Sequence, residues 1–307
     1  MKPAIYVCGK QSVGKSSLIR TVIHTSLGSQ QLYTSSGNEL YETPVVDFIE
    51  ANSTFADTVP VQNEVQAVWF CLDGGTSALS QEEGDFIKSL DSRALVVVTK
   101  SEQMNEDQTK SMMDALMNLV SREQIVLVSE SKKSGLPCLI NKTKQIIENT
   151  SRGLSPRILS YSYEREWDNY FSRRLHLWSQ KNEEEANSYI TWAAGRAAAI
   201  AVVPLPLADV TPLVANEIYM IYKLAGVYGI ANDQSIISMI LGCTGGSLVG
   251  KIGASFLPFL KIPIAAAVTY GVGKAAKAFF ESGMELNGDT LLDIFEKAKD
   301  EASSLFW

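Results

Sequence analysis

The stretch "VCGKQSVGKSS", residues 7–17, follows the short apolar run "PAIYV" and fits the pattern G-x-x-x-x-G-K-[ST], with Gly9, Gly14, Lys15 and Ser16 in the fixed positions. The chemistry accounts for the spacing. Glycines let the backbone curl so that N–H groups, including those of Gln11, Ser12 and Val13, face a phosphate where side chains would collide. Lys15 brings a cation to the terminal phosphates, and the Ser16 hydroxyl is a ligand suited to Mg2+. Ser17 lies in the first turn of the helix read from "KSSLIRTVIHTSL". The positive end of that helix dipole points at the anion. The stretch therefore predicts a strand, a phosphate-holding loop and a helix, in that order.

Working outward, "QAVWFCLDGG" (66–75), "RALVVVTK" (93–100) and "EQIVLVSES" (123–131) are apolar runs of strand length separated by helical patterns. Such alternation predicts an α/β fold with a mainly parallel sheet covered on both faces, and ligands bound where the strands end. Between the first two runs, "SALSQEEGDFIKSL" predicts a helix capped near Ser80, with Glu82 and Glu83 in its first turn.

Two of the strand ends carry groups that suit a base. Thr99-Lys100-Ser101-Glu102 is similar to the [NT]-K-x-D signature of guanine-nucleotide binders, and Ser129-Glu130-Ser131 followed by Gly135-Leu136 is similar to their S-A-K…G-[LI] loop. With the phosphate loop, these residues make 1–150 resemble a small GTPase domain of the Era-like, translation-factor-related class. The resemblance implies GTP or GDP with Mg2+. It implies that Lys100 lies over the base, that Glu102 accepts from guanine N1–H and N2, and that Glu130 gives a backbone N–H to O6.

The resemblance also implies two switches. Thr34, nineteen residues after Lys15, is the candidate for the first-switch hydroxyl on Mg2+, with Ser35 and Ser36 as neighbours. Reading "TPVVDFIEA", "NS" and "TFADTVP" as a β-hairpin makes Asp57-Thr58-Val59-Pro60 the second switch, with Asp57 as the metal and catalytic carboxylate; Asp47–Glu50 is the rival placement. Two departures follow. Pro60 stands where glycine would give an N–H to the γ-phosphate, and proline has none. Glu102 for Asp lengthens the base-reading arm by one methylene. GTP hydrolysis is thus left between a slow or atypical switch and a catalytically silent scaffold.

Composition narrows the remaining classes. A net charge of −7 argues against nucleic acid as a partner, because phosphate contacts need clustered Lys and Arg in surplus. Cys8, Cys71, Cys138 and Cys243 are far apart, and His24 and His176 are the only histidines, so neither a Cys/His metal cluster nor a His-based triad is expected. The N-terminus has no secretory pattern. The expected setting is cytoplasmic, with peripheral attachment at the inner face of a membrane as the alternative.

After "ENTSRGLSPR" the composition changes, and 151–307 is expected to be an all-α domain. Trp167, Tyr170, Phe171, Leu175 and Trp178 recur at helical steps, which reads as core packing. The turn with Pro204, Pro206 and Asp209 and the helix ending "YGI" make about 190–285 resemble the YcjF-type helical domain, which brings no transferable chemistry. The charge-free run 234–250 contains Gly246-x-x-x-Gly250, but Lys251, Lys261, Pro258 and Pro263 interrupt the apolar stretch that follows. A buried bundle and a membrane-associated hairpin both stay open. "DTLLDIFEKAKDEASSLFW" reads as a closing amphipathic helix. A membrane or protein partner of the helical domain and a second copy of the chain are the candidate partners beyond the nucleotide.

Overall fold

Strand β1 (Ala4–Cys8) is buried along its whole length because it is paired on both edges and covered on both faces. The computed structural model describes residues 2–23, 32–33, 37–52, 65–76, 79–152, 161–202, 211–230, 234–245 and 258–305. After β1 come α1 (Lys15–Ile23), β2 (Leu32–Tyr33), β3 (Glu39–Tyr41) and β4 (Asp47–Glu50). Then follow β5 (Ala67–Asp73), α2 (Gln81–Ser89), β6 (Ala94–Thr99), α3 (Glu106–Met117), β7 (Ile125–Leu127) and α4 (Leu136–Arg152). The strands form one sheet in the order β2-β3-β4-β1-β5-β6-β7, parallel from β4 to β7 and antiparallel at β2-β3-β4. The chain leaves β1 toward β4 and returns to the opposite edge of β1 through β5. This reversal opens a crevice at the carboxyl ends of the strands, beside the loop that follows β1.

The expected hairpin is not the one that forms. β4 pairs antiparallel with β3, which precedes it, and parallel with β1, so both of its edges are occupied and no following segment can pair with it. The expected α2 start is present: Ser80 is the N-cap, and it exchanges capping hydrogen bonds with Glu83.

The chain divides into two compact units, Met1–Gln180 and Lys181–Trp307, with the division inside the 42-residue helix α5 (Tyr161–Val202). Composition changes near 150, but the first unit runs on to 180. The reason is that Trp167, Phe171 and Trp178 are buried in the same core as Ile5, Val7, Leu18, Phe48 and Trp69. Arg174 adds a polar tie, donating from Nη2 to the Ile23 carbonyl at the end of α1 (3.0 Å). A cation at a helix C-terminus is favourably placed.

The second unit continues α5 and adds α6 (Thr211–Val227), α7 (Gln234–Gly245), α8 (Pro258–Glu281) and α9 (Gly288–Leu305). Ile190, Ile221, Leu224, Ile240, Val272, Ala276, Leu291 and Phe295 form its core. α8 does not break at Pro258 or Pro263 as the sequence suggested. Proline at the first position loses no intrahelical bond, and Pro263 in the second turn forfeits only one. Among the described residues no helix is long and apolar enough to cross a membrane. Pro204, Pro206, Asp209, Gly246, Gly250 and Lys251 lie outside the described residues.

Candidate functional site

The loop after β1 closes over β5. Gly9 has φ 134°, and a Cβ there would collide with the Cys71 carbonyl oxygen, so only glycine fits. Gly14 has φ 100° and Ser12 φ 63°, Val13 is buried as the loop's anchor, and Gln11 is exposed. Leu18 N–H donates to the Gly14 carbonyl (2.9 Å), which starts α1 directly at the loop. Lys15 is only 7% exposed. Its Nζ donates to the carbonyls of Gly9 (3.0 Å) and Lys10 (2.9 Å), so the cation is held inside the curl. Lys10 reaches the other way, to Ser80 Oγ and Glu83 Oε2, both at 3.0 Å.

The Ser16 hydroxyl donates to Glu50 Oε1 (2.8 Å). Glu50 closes β4, opposite Val7 on β1, and is 8% exposed. Its other oxygen lies 3.1 Å from the Tyr41 hydroxyl, which is also 2.7 Å from Glu39. Sequence reasoning missed Glu50. The rival Asp47–Glu50 placement put the leading carboxylate at Asp47, but Asp47 lies opposite Ala4 at the far end of β4 and pairs with Lys2 (2.6 Å). The available signal was an apolar strand ending on a carboxylate. Thr34, Asp57 and Pro60 lie outside the described residues.

At the other end of the crevice, the buried Thr99 hydroxyl spans Leu72 O (2.9 Å) and Val13 O. Lys100, in the left-handed conformation (φ 51°), ion-pairs with Asp73 Oδ2 (2.6 Å) and donates to Ser12 O (2.8 Å). Asp73 is a second residue that sequence reading missed. It turns the Lys100 stem back toward the phosphate loop. Glu102 is exposed in the 3₁₀ turn Ser101–Gln103, and Ser101 N–H donates to Val128 O (3.1 Å), which joins this turn to the next loop. There, Ser129 is buried, Ser131 is exposed with its hydroxyl 3.2 Å from that of Ser129, and Glu130 turns back to accept from the Ser17 hydroxyl. The structure thus gathers the phosphate loop, Thr99, Lys100, Glu102 and Ser129–Ser131 around one crevice.

Burial pushes the Cys8 thiol up to about 12 and that of Cys71 well above its usual value, so both are neutral beneath the loop and unsuited to nucleophilic chemistry. Among the described residues no group of three or more His, Cys, Asp or Glu side chains could hold a metal alone. A hydroxyl and a carboxylate in contact nevertheless fit Mg2+, which takes few protein oxygens and completes its shell with water and phosphate.

No protein-family model matches the chain. Over 128 residues it is 27% identical to Magnetosome membrane protein 22 of Magnetospirillum gryphiswaldense, a match covering 36% of this chain and 66% of that protein. Similar solved structures include a probable GTP-binding protein EngB (15% identity, TM-score 0.36, 48% of this chain and 99% of that one). Another is the G domain of the T. maritima FeoB iron transporter (13%, 0.33, 48% and 99%). A third is the apo form of translation elongation factor SelB from Methanococcus maripaludis (13%, 0.35, 48% and 34%).

Proposed function

We propose that the first unit binds guanine nucleotide with Mg2+ and acts as a slow or atypical GTPase switch on the helical half. The observation that carries this reading is the Ser16–Glu50 contact at 2.8 Å, at the mouth of a phosphate loop and at the carboxyl ends of parallel strands. Ser16 and Glu50 would hold the ion, directly or through water, and the ion would supply positive charge against the negative charge of the terminal phosphates. Lys15 would leave the carbonyls of Gly9 and Lys10 for those phosphates. Lys100 is already fixed at Ser12 and Asp73, so its stem forms a rigid floor for the base, and Glu102 would accept from the guanine edge.

The reading is tested by calorimetric titration of the whole chain with GDP, GTP and ADP, with and without Mg2+. Mg2+ is expected to tighten GTP binding to the native protein by about tenfold or more, and Glu50→Gln, which keeps the hydrogen bond to Ser16 but removes the charge, should erase most of that gain. A native protein indifferent to Mg2+ would remove the metal from the proposal. Glu102→Ala is expected to weaken GDP by about tenfold or more, the loss of at least one charge-assisted hydrogen bond, while leaving ADP within about twofold. Equal losses for the two nucleotides would refute base reading by this residue.

The second reading, a nucleotide-loaded but silent scaffold at a membrane or protein partner, is favoured by Pro60, which offers no N–H to a γ-phosphate. Its membrane form draws on the name of the magnetosome relative and on Trp192, which is 55% exposed with the Arg196 guanidinium 3.7 Å from its ring centroid. An exposed tryptophan suits the headgroup region of a bilayer. Single-turnover GTP hydrolysis with and without anionic vesicles separates the two readings: measurable turnover supports the switch, and vesicle binding without turnover supports the scaffold.

A further inference from the structure

We propose that the Glu130 side chain is an internal anion standing at the edge of the phosphate seat of the crevice, so that nucleotide loads by displacing it. The inference rests on the nucleotide-site reading above. Glu130 comes from the turn after β7, whose backbone is the part expected to meet a base, yet its side chain crosses to the opposite wall. There Oε2 accepts from the Ser17 hydroxyl in the first turn of α1, and Oε1 lies 3.4 Å from where a Cβ on Gly14 would be. These are the residues whose amides and helix dipole form the anion seat of the loop. The carboxylate therefore stands at the edge of that seat, held by the Ser17 hydroxyl and beside Gly14, where its charge and bulk oppose a phosphate.

Charged groups of both signs face this carboxylate. Lys100 and Glu102 approach from the turn after β6, and Lys133 from the turn that carries Glu130 itself. On α1 the facing group is the Ser17 hydroxyl, and the neutral Cys71 thiol lies beneath on β5. Burial of the carboxyl outweighs the hydrogen bond from Ser17 and the lysine charges, and raises its pKa above the ordinary carboxylate value. Protonation removes the charge that opposes a phosphate. Nucleotide affinity should then rise, relative to a protein lacking this carboxylate, as the pH falls through that raised value.

The test titrates the full chain with GDP at pH 7.5 and at pH 5.5, using the native protein, Glu130→Gln, Glu130→Ala and Ser17→Ala. Glu130→Gln and Glu130→Ala are expected to tighten GDP by about fivefold or more at pH 7.5, with the advantage shrinking at pH 5.5, since only the native protein still has a proton to gain. Ser17→Ala, which removes the donor that holds the carboxylate and keeps the backbone N–H, should move affinity in the same direction. Comparing ratios cancels the titration of the nucleotide itself. Weaker GDP binding in both Glu130 variants would overturn the proposal and make Glu130 a ligand contact. Unchanged affinity at both pH values would overturn it as well. If the native protein and all three variants fail to bind GDP, the nucleotide-site reading fails and the displacement proposal falls with it, an outcome distinct from either of the others.

Discussion

Lys15→Ala is expected to lower GTP affinity by about a hundredfold or more. The Lys15 ammonium is buried and held by the carbonyls of Gly9 and Lys10 at 3.0 and 2.9 Å. Both carbonyls belong to the loop, so the cation lies where the phosphates would enter and needs only to turn from carbonyl oxygens to phosphate oxygens. Charge-assisted hydrogen bonds contribute roughly 1.5–3 kcal/mol each, and two of them correspond to at least about a hundredfold in a dissociation constant. The same substitution leaves the two carbonyls without their donor, so a modest drop in thermal stability should accompany the loss. Titration with GTP and with inorganic triphosphate reads the effect without involving the base. Affinity retained in Lys15→Ala would mean that the loop only resembles a phosphate site, and the proposed function would fail at its first step.

How much of this could be read without the structure depends on whether the signal is local. The phosphate loop is fixed by spacing within eight residues, and Thr99-Lys100 by a tetrapeptide directly after an apolar run, so both were legible. The same holds for the Ser80 cap, where hydroxyl and carboxylate are three residues apart. Glu50 was not legible, because nothing near it announces a site. It becomes part of one only when β4 pairs with β1 and its last residue arrives beside Ser16, thirty-four positions earlier in the chain. Asp73 is similar: its partner, Lys100, is brought to it by the pairing of β5 and β6. The hairpin was misread because β4 has a period-2 pattern that suits an antiparallel partner on either side, and sequence alone does not say that the partner is β3. The aromatic stripe of α5 was correctly read as core, but not which core it joins. Periodicity gives a helix its buried face and is silent about what covers it.

The second large effect concerns a carboxylate outside the candidate site. Glu217 on α6 is 7% exposed and accepts a hydrogen bond from the Thr269 hydroxyl of α8, itself 1% exposed, at 3.3 Å. Burial pushes its pKa up from 4.5 to about 7, against the smaller opposing pull of the Thr269 hydrogen bond. The folded form therefore holds a proton that the unfolded chain releases near 4.5. Between those values the native state binds more protons than the unfolded one, so stability falls as pH rises from 4.5 to 7 and is level above that. A shift of this size corresponds to about 3 kcal/mol at most across the window. Glu217→Gln cannot ionise and keeps an acceptor for Thr269, so it should flatten this part of the profile and exceed the native protein in stability at pH 8. At pH 4.5 the two should be nearly equal. Because the chain has two compact units, the measurement is native-state hydrogen exchange of the α6 amides, which reports the helical unit alone. An unchanged pH slope in Glu217→Gln would show that this carboxylate is paired in solution, and that the helical core tolerates its charge.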